Sequence, residues 1–251
     1  MSTKVALVTG GSSGIGAATA RELAQRGWRV AVVFSRDEKA ARETVEKCGK
    51  DAFSVKADVT VDVDCRRAAA EVLERCGRID ALVNSAGTTK RVAHANLDGL
   101  SAEDFERISR TNLVGPFQMV RACAAALKES RGAIVNVSSM AGIMGTGSSV
   151  AYAASKAALN TMTLSLARSL APEVRVNTVC PGFVRTEWWL QKAGKEVAEE
   201  VERRYVSNAP LKRAAEPEDV ADAIVWLIEG ARCVTGELLL VDGGMHIATP
   251  R

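Results

Sequence analysis

The chain predicts an α/β fold, a doubly wound parallel seven-stranded sheet with helices on both faces, in a single domain over residues 1–251. Two observations predict it. Seven short β-rich runs alternate with amphipathic or Ala-rich helical runs from Lys4 to Asp242, a rhythm that makes crossover connections and a parallel sheet. A glycine-rich turn, Thr9-Gly10-Gly11-Ser12-Ser13-Gly14-Ile15-Gly16, falls between the first strand and the first helix, where such sheets receive phosphate groups. At 251 residues the length suits one unit, since α/β folds routinely reach about 250 residues undivided.

The elements follow in order. Val5-Ala6-Leu7-Val8 is an apolar run ending at glycines, and the amphipathic segment Ile15 to Gln25 is stopped by Gly27. Arg29 to Phe34, Phe53 to Ala57, Ile79 to Val83, Ala133 to Val137, Arg175 to Val179 and Leu238 to Val241 supply the remaining strands. Helices are expected over Asp37 to Lys47, and from a Thr60 cap to Cys76. A long one runs from Ser101 to about Lys128, opened by the capping-box variant Ser101-Ala102-Glu103-Asp104. Ala151 to Leu170 and Glu218 to Glu229 are also helical, with Pro217 suited to a first turn.

Composition excludes several classes. A net charge of +3 from 33 basic and 30 acidic residues gives no basic stripe for a phosphate backbone, so nucleic acid is not an expected partner. No apolar run reaches membrane-spanning length and no basic segment precedes an apolar signal core, so a soluble, cytoplasmic protein is expected. Six cysteines without a C-x-x-C pair read as reduced thiols. With only two histidines besides, no metal site is expected.

The glycines at 10, 14 and 16 permit tight backbone geometry and close approach of a pyrophosphate, with Ser12, Ser13 and Ile15 completing the turn. Their spacing departs from the common G-x-G-x-x-G fingerprint. At the tip of the second strand the chain reads Phe34-Ser35-Arg36. No carboxylate stands there to grip ribose hydroxyls, and Arg36 offers a forked set of donors to a 2′-phosphate, so NADP(H) is expected over NAD(H). The alternative is that Arg36 is a solvated loop charge. Asp58, with Val59 beside it, is placed to meet the adenine, or else Asp58 is only a turn residue. Asn84-Ser85-Ala86-Gly87 ends the fourth strand on the same carboxyl edge, where small residues admit a cofactor.

Tyr152 lies four residues before Lys156, which places both on one helix face with Cβ atoms roughly 5–6 Å apart. An ammonium beside a phenol biases proton exchange at the phenolic oxygen, the chemistry of carbonyl/alcohol redox.

Thr9-Gly10-x-x-x-Gly14-Ile15-Gly16, Asn84-x-Ala86-Gly87, Asn112, Ser139, Tyr152-x-x-x-Lys156 and Pro181-Gly182 occur in one order along the chain. In this joint pattern the sequence resembles the short-chain dehydrogenases/reductases over essentially its whole length, and is most similar to the subgroup containing 3-oxoacyl-carrier-protein reductases. The resemblance implies a Rossmann-type fold and NAD(P)-dependent redox. It makes Tyr152 the general acid/base, with its pKa lowered by Lys156 and by the cofactor. Lys156 also takes the nicotinamide ribose, Ser139 the substrate oxygen, and Asn112 a water linking the lysine to solvent. Val184 and Thr186 are implied at the nicotinamide carboxamide, with Pro181 and Gly182 also among the cofactor-binding residues, and a homotetramer is the usual assembly.

The substrate is weakly encoded. Residues 187–208, with Trp188 and Trp189, read either as a lid or as core packing. Helix ends reading Lys128-Glu129-Ser130-Arg131 and Ala171-Pro172-Glu173 mix charge signs, an unconvincing match for an acidic carrier protein, and Lys90 and Arg91 read as solvated charges sooner than as an anion site. A ketoreductase is the leading expectation. A sugar or other secondary-alcohol dehydrogenase and a non-catalytic nucleotide sensor are the alternatives.

Overall fold

In the computed structural model, residues 3–187 and 194–248 are described, so Trp188, Trp189 and part of the expected lid lie outside the described residues. The elements run β1 (Val5–Thr9), α1 (Gly14–Gln25), β2 (Arg29–Phe34), α2 (Glu38–Cys48), β3 (Phe53–Lys56), α3 (Asp62–Cys76) and β4 (Ala81–Asn84). The second half runs α4 (Ala102–Ser109), a π turn (Arg110–Val114), α5 (Gly115–Ser130), β5 (Ala133–Val137), α6 (Ala141–Met144), α7 (Val150–Leu170), β6 (Arg175–Pro181), α8 (Lys195–Asn208), α9 (Pro217–Glu229) and β7 (Leu238–Val241).

The seven strands form one parallel sheet in the order β3-β2-β1-β4-β5-β6-β7. Strand progression reverses between β1 and β4, and in such sheets the crevice outside that switch point is where ligands enter. Alternation along each strand divides the core between two faces. Leu7, Leu82, Ile134 and Val176 pack against α3, α5 and α7 through Val72, Met119, Leu127 and Ala167. Val8, Val83, Val135 and Val179 pack against α1, α2 and α9 through Leu23, Ala41, Ile224 and Leu227.

Two local expectations are corrected. The long helix from Ser101 keeps its capping box, the Ser101 side chain accepting from Asp104 N, but the π turn interrupts it at Arg110–Val114. Such a bulge admits an extra residue to one turn, and the Asn112 amide satisfies itself there on groups outside the helix. Thr60 does not cap α3. Its backbone N–H and hydroxyl both donate to Asp58 Oδ1 at 2.9 and 2.8 Å, a turn that Asp side chains favour, and Val61 takes the N-cap position with no side-chain bond. The Gly/Ser-rich stretch after Ser139 also holds the short helix α6. Among the described residues, no helix is long and apolar enough to cross a membrane.

Candidate active site

A cleft of about 370 Å³ opens at the carboxyl ends of the strands. Its lining includes Gly10, Ser13, Gly14 and Ile15 from the glycine turn, Ala86 and Gly87 after β4, and Ser139, Tyr152 and Lys156 from the second half. Pro181 at the end of β6 and Gly182, Val184 and Thr186 after it complete the expected set inside it. The other expected positions lie elsewhere. Gly16 supports the turn from behind, Ser35 and Arg36 are exposed past β2, and Asp58 is exposed past β3 while Val59 is buried. Arg36 makes no hydrogen bond or ion pair to another described residue. Ser12 gives its carbonyl to the Thr44 hydroxyl at 3.5 Å.

The turn is built for close approach. Gly10 has φ +62, and a Cβ there would stand 2.9 Å from Ala86 Cα; a Cβ on Gly16 would stand 2.3 Å from the Gly10 carbonyl oxygen. The Thr9 hydroxyl accepts from the backbone N–H groups of Ser85 and Ala86 at 3.1 and 3.2 Å, which ties the glycine turn to the loop after β4. Ser13 is the N-cap of α1 in extended conformation and makes no side-chain cap bond. Backbone donors of the first turn therefore remain for an anion, with the helix dipole favouring negative charge. A cradle that glycines keep free of side chains, ending on an uncapped helix start, fits a dinucleotide pyrophosphate.

At the reacting end, Ser139 follows β5 and its hydroxyl accepts from Ala141 N at 3.1 Å. Tyr152 stands in the first turn of α7, whose N-cap Ser149 side chain accepts from Tyr152 N. Lys156, one turn on, is buried and donates from Nζ to the Val137 carbonyl at 2.8 Å, with the ammonium 5.8 Å from the Tyr152 ring centroid. Burial pushes the Lys156 ammonium down to about 8. Desolvation pushes the Tyr152 phenol up to about 12, and a hydrogen bond from Ser139 opposes the rise. In the protein alone desolvation dominates the phenol.

Asn112 is fully buried. Its Oδ1 accepts from Thr88 N at 2.8 Å, and its Nδ2 donates to Thr88 O and Ser155 Oγ at 2.9 and 3.0 Å, so its side chain fastens the loop after β4 to α7. Asn84 lies beneath the cleft floor. Its Nδ2 donates to Asn136 Oδ1 at 2.9 Å, and its Oδ1 is buried without a hydrogen-bond partner.

Further residues shape the cleft, of which Gly142 carried no signal in the sequence. The Ser138 hydroxyl donates to the Lys156 backbone carbonyl at 3.2 Å, while Ser139 is the serine hydrogen-bonded to Tyr152. Gly142 lets α6 sit on α7, since a Cβ there would stand 2.6 Å from the Lys156 backbone carbon. Phe183, Val201 and Tyr205 line the cleft and form a small apolar cluster with Met140. Lys90, weighed as an anion receiver, is paired with Asp104 at 2.6 Å.

A phosphate-accepting turn facing a serine, a phenol and an ammonium in one cleft defines a nucleotide-dependent oxidoreductase site. A family model described as enoyl-(acyl carrier protein) reductase matches residues 10–246. A Bos taurus 3-oxoacyl-[acyl-carrier-protein] reductase is 38% identical over 250 residues, covering 97% of this chain and 98% of that protein. The Aquifex aeolicus 3-oxoacyl-[acyl-carrier-protein] reductase is 36% identical, covering 96% and 97%. The solved structure of Thermoplasma acidophilum aldohexose dehydrogenase superposes with a TM-score of 0.88 at 28% identity, covering 100% of this chain and 96% of that one. The chain belongs to the short-chain dehydrogenase/reductase family and is ketoacyl-reductase-like. It is an NAD(P)-dependent enzyme acting between C–OH and C=O groups.

Proposed function

We propose that the protein reduces a ketone to a secondary alcohol with NADPH, with Tyr152 as general acid. The observation that carries this reading is the convergence of Ser139, Tyr152 and Lys156 on the cleft that also holds the glycine turn. When bound, the dinucleotide supplies hydride to the carbonyl carbon. The chain's own groups handle the oxygen. Ser139 donates a hydrogen bond as negative charge develops there, and Tyr152 gives up its phenolic proton. A phenol held near 12 is fully protonated at neutral pH, ready for an alkoxide that is a much stronger base. Lys156, largely protonated below about 8, then faces the phenolate left behind and favours it electrostatically. In this reading Gly10, Ser13, Gly14 and Ile15 receive the pyrophosphate, Val184 and Thr186 the carboxamide, and Arg36 the 2′-phosphate.

The substrate proposed is a neutral ketone with an apolar flank. Among the described lining residues Lys156 is the cation, and it is committed to Val137; Phe183, Val201 and Tyr205 offer an apolar wall. The homotetramer remains part of the proposal, supported by exposed Phe105, Val114 and Phe117 on α4, the π turn and α5. Following NADPH absorbance with a panel of ketones, aldehydes and acyl thioesters tests the function. Turnover by wild type that disappears in Tyr152→Phe is expected, and equal turnover in both would overturn the assignment.

A further inference from the structure

Beneath the cleft the core changes character within one strand period. Leu7, Leu82, Ile134 and Val176 are lateral neighbours across β1, β4, β5 and β6, and all are fully buried. Two residues further on, on the same face, the matching row is Thr9, Asn84, Asn136 and Thr178, also buried. Four polar side chains in a row where the alternation calls for apolar ones demand partners, because each unpaired buried group is costly.

The Thr9 hydroxyl is met by Val83 O and by the backbone N–H groups of Ser85 and Ala86, whereas the bonds of Asn84 Nδ2, Asn136 and Thr178 run to one residue of α7. Asn136 accepts from Asn84 Nδ2 and donates from Nδ2 to Thr163 Oγ1 at 2.9 Å. The Thr163 hydroxyl donates to the Leu159 carbonyl at 3.0 Å and lies 2.7 Å from Thr178 Oγ1. Because a hydroxyl has one proton, Thr178 is the donor in that last bond. Thr163 therefore joins α7 to β5 and β6 at once. It stands seven residues after Lys156, two turns along and on the same helix face, about 10 Å down the axis. Val137, whose carbonyl receives Lys156 Nζ, is the next residue in β5 after Asn136. The same strand and the same helix thus meet at two points, one polar and buried, the other at the reacting group.

We propose that Asn136 and Thr163 are positioning residues that fix the axial register of α7 on the sheet and so hold Lys156 Nζ on the Val137 carbonyl beside Tyr152. The inference rests on the catalytic reading of Lys156 given above. Severing the link lets α7 settle differently and admits water to the ammonium, and a displacement of about 1 Å at a reacting group can cost on the order of a hundredfold in rate. The titratable groups facing the ammonium are Tyr152 on α7 and Cys180 on β6.

The test is Thr163→Val, which keeps the shape and removes the hydroxyl, against Thr163→Ser, which restores it. Two readouts are needed. One is kcat and KM for ketone reduction with NADPH; the other is the titration of the Lys156 ammonium by NMR of lysine-labelled protein, which needs neither substrate nor cofactor. Thr163→Val is expected to lose roughly tenfold or more in kcat with KM little changed, and to move the lysine titration up from about 8. Thr163→Ser should recover both. If Thr163→Val only lowers Tm, keeping kcat and the titration, the residues are merely structural and the proposal is overturned. Should Thr163→Val not fold, Asn136→Leu cuts the same link from the strand and is judged by the same two readouts. Full activity in Lys156→Ala would instead overturn the underlying catalytic reading, so the two failures are distinguishable.

Discussion

Lys156 donates from Nζ to the Val137 carbonyl at 2.8 Å, so the charge at the reacting end is held by the edge of the sheet. One buried ammonium then controls both the stability of the protein and the electrostatics of its cleft.

The stability consequence has a definite sign. Burial lowers the Lys156 pKa from 10.5 to about 8, so between those values the unfolded chain binds more protons than the folded one, and stability rises with pH across that window. Below about 8 both states are charged and the full burial penalty applies. The buried thiols Cys65, Cys123 and Cys180, raised to between about 11 and about 12, act in the opposite direction above their ordinary value. The lysine is therefore isolated by comparison with Lys156→Met. From pH 7 to pH 10 in urea melts, wild type should gain roughly 2–3 kcal/mol relative to that variant; a constant difference would mean the ammonium is not desolvated.

Tyr152→Phe removes the proton donor and the bond to Ser139. A kcat loss of about a thousandfold is expected, within the usual range for general acids, while unfolding free energy changes by about 1 kcal/mol. In wild type, ketone reduction should decline as pH rises through about 8, when Lys156 loses its charge, and alcohol oxidation should improve toward alkaline pH as the minor phenolate fraction of a phenol held near 12 grows. Initial rates in both directions from pH 6 to 10 check this. Parallel profiles in the two directions would contradict it.

Much of this architecture is legible in the chain because each level repeats the same instruction. Seven apolar runs separated by helices specify the parallel sheet, and the glycine turn with Tyr152-x-x-x-Lys156 specifies where its ends converge. The π turn was not legible, since Arg110–Val114 has ordinary helical composition and the distortion is stabilised by tertiary partners of Asn112 on Thr88 and Ser155. Nor was the direction of the Tyr152 shift. Spacing brings phenol and ammonium together, but only packing shows how strongly desolvation raises the phenol. The polar row Thr9, Asn84, Asn136 and Thr178 was hidden for a similar reason: strand registers, which align residues far apart in sequence, assemble it.

Gly16→Ala tests the cradle. The new methyl would stand 2.3 Å from the Gly10 carbonyl oxygen, a backbone atom, so the turn has to shift and dinucleotide affinity should fall by tenfold or more on the order of 1.4 kcal/mol per decade. Gly27→Ala is the control. It has φ +82 with nothing within 4 Å of the added Cβ, so it should cost about 1 kcal/mol in backbone strain and leave NADPH affinity alone. Fluorescence titration with NADPH separates the two, and equal affinities would remove the pyrophosphate from this turn.

Arg36→Ala tests the choice of nucleotide. Arg36 is exposed at the tip of β2, and no other described residue competes for its guanidinium, so its donors remain for a 2′-phosphate. Loss of one charge-assisted contact in a partly solvated site is worth roughly 1.5–3 kcal/mol. The variant should therefore lose about tenfold to a hundredfold in kcat/KM for NADPH, with little change for NADH. A wild-type preference for NADH, or an equal loss with both nucleotides, would show that Arg36 is a solvated charge and that the tip of β2 does not set the cofactor.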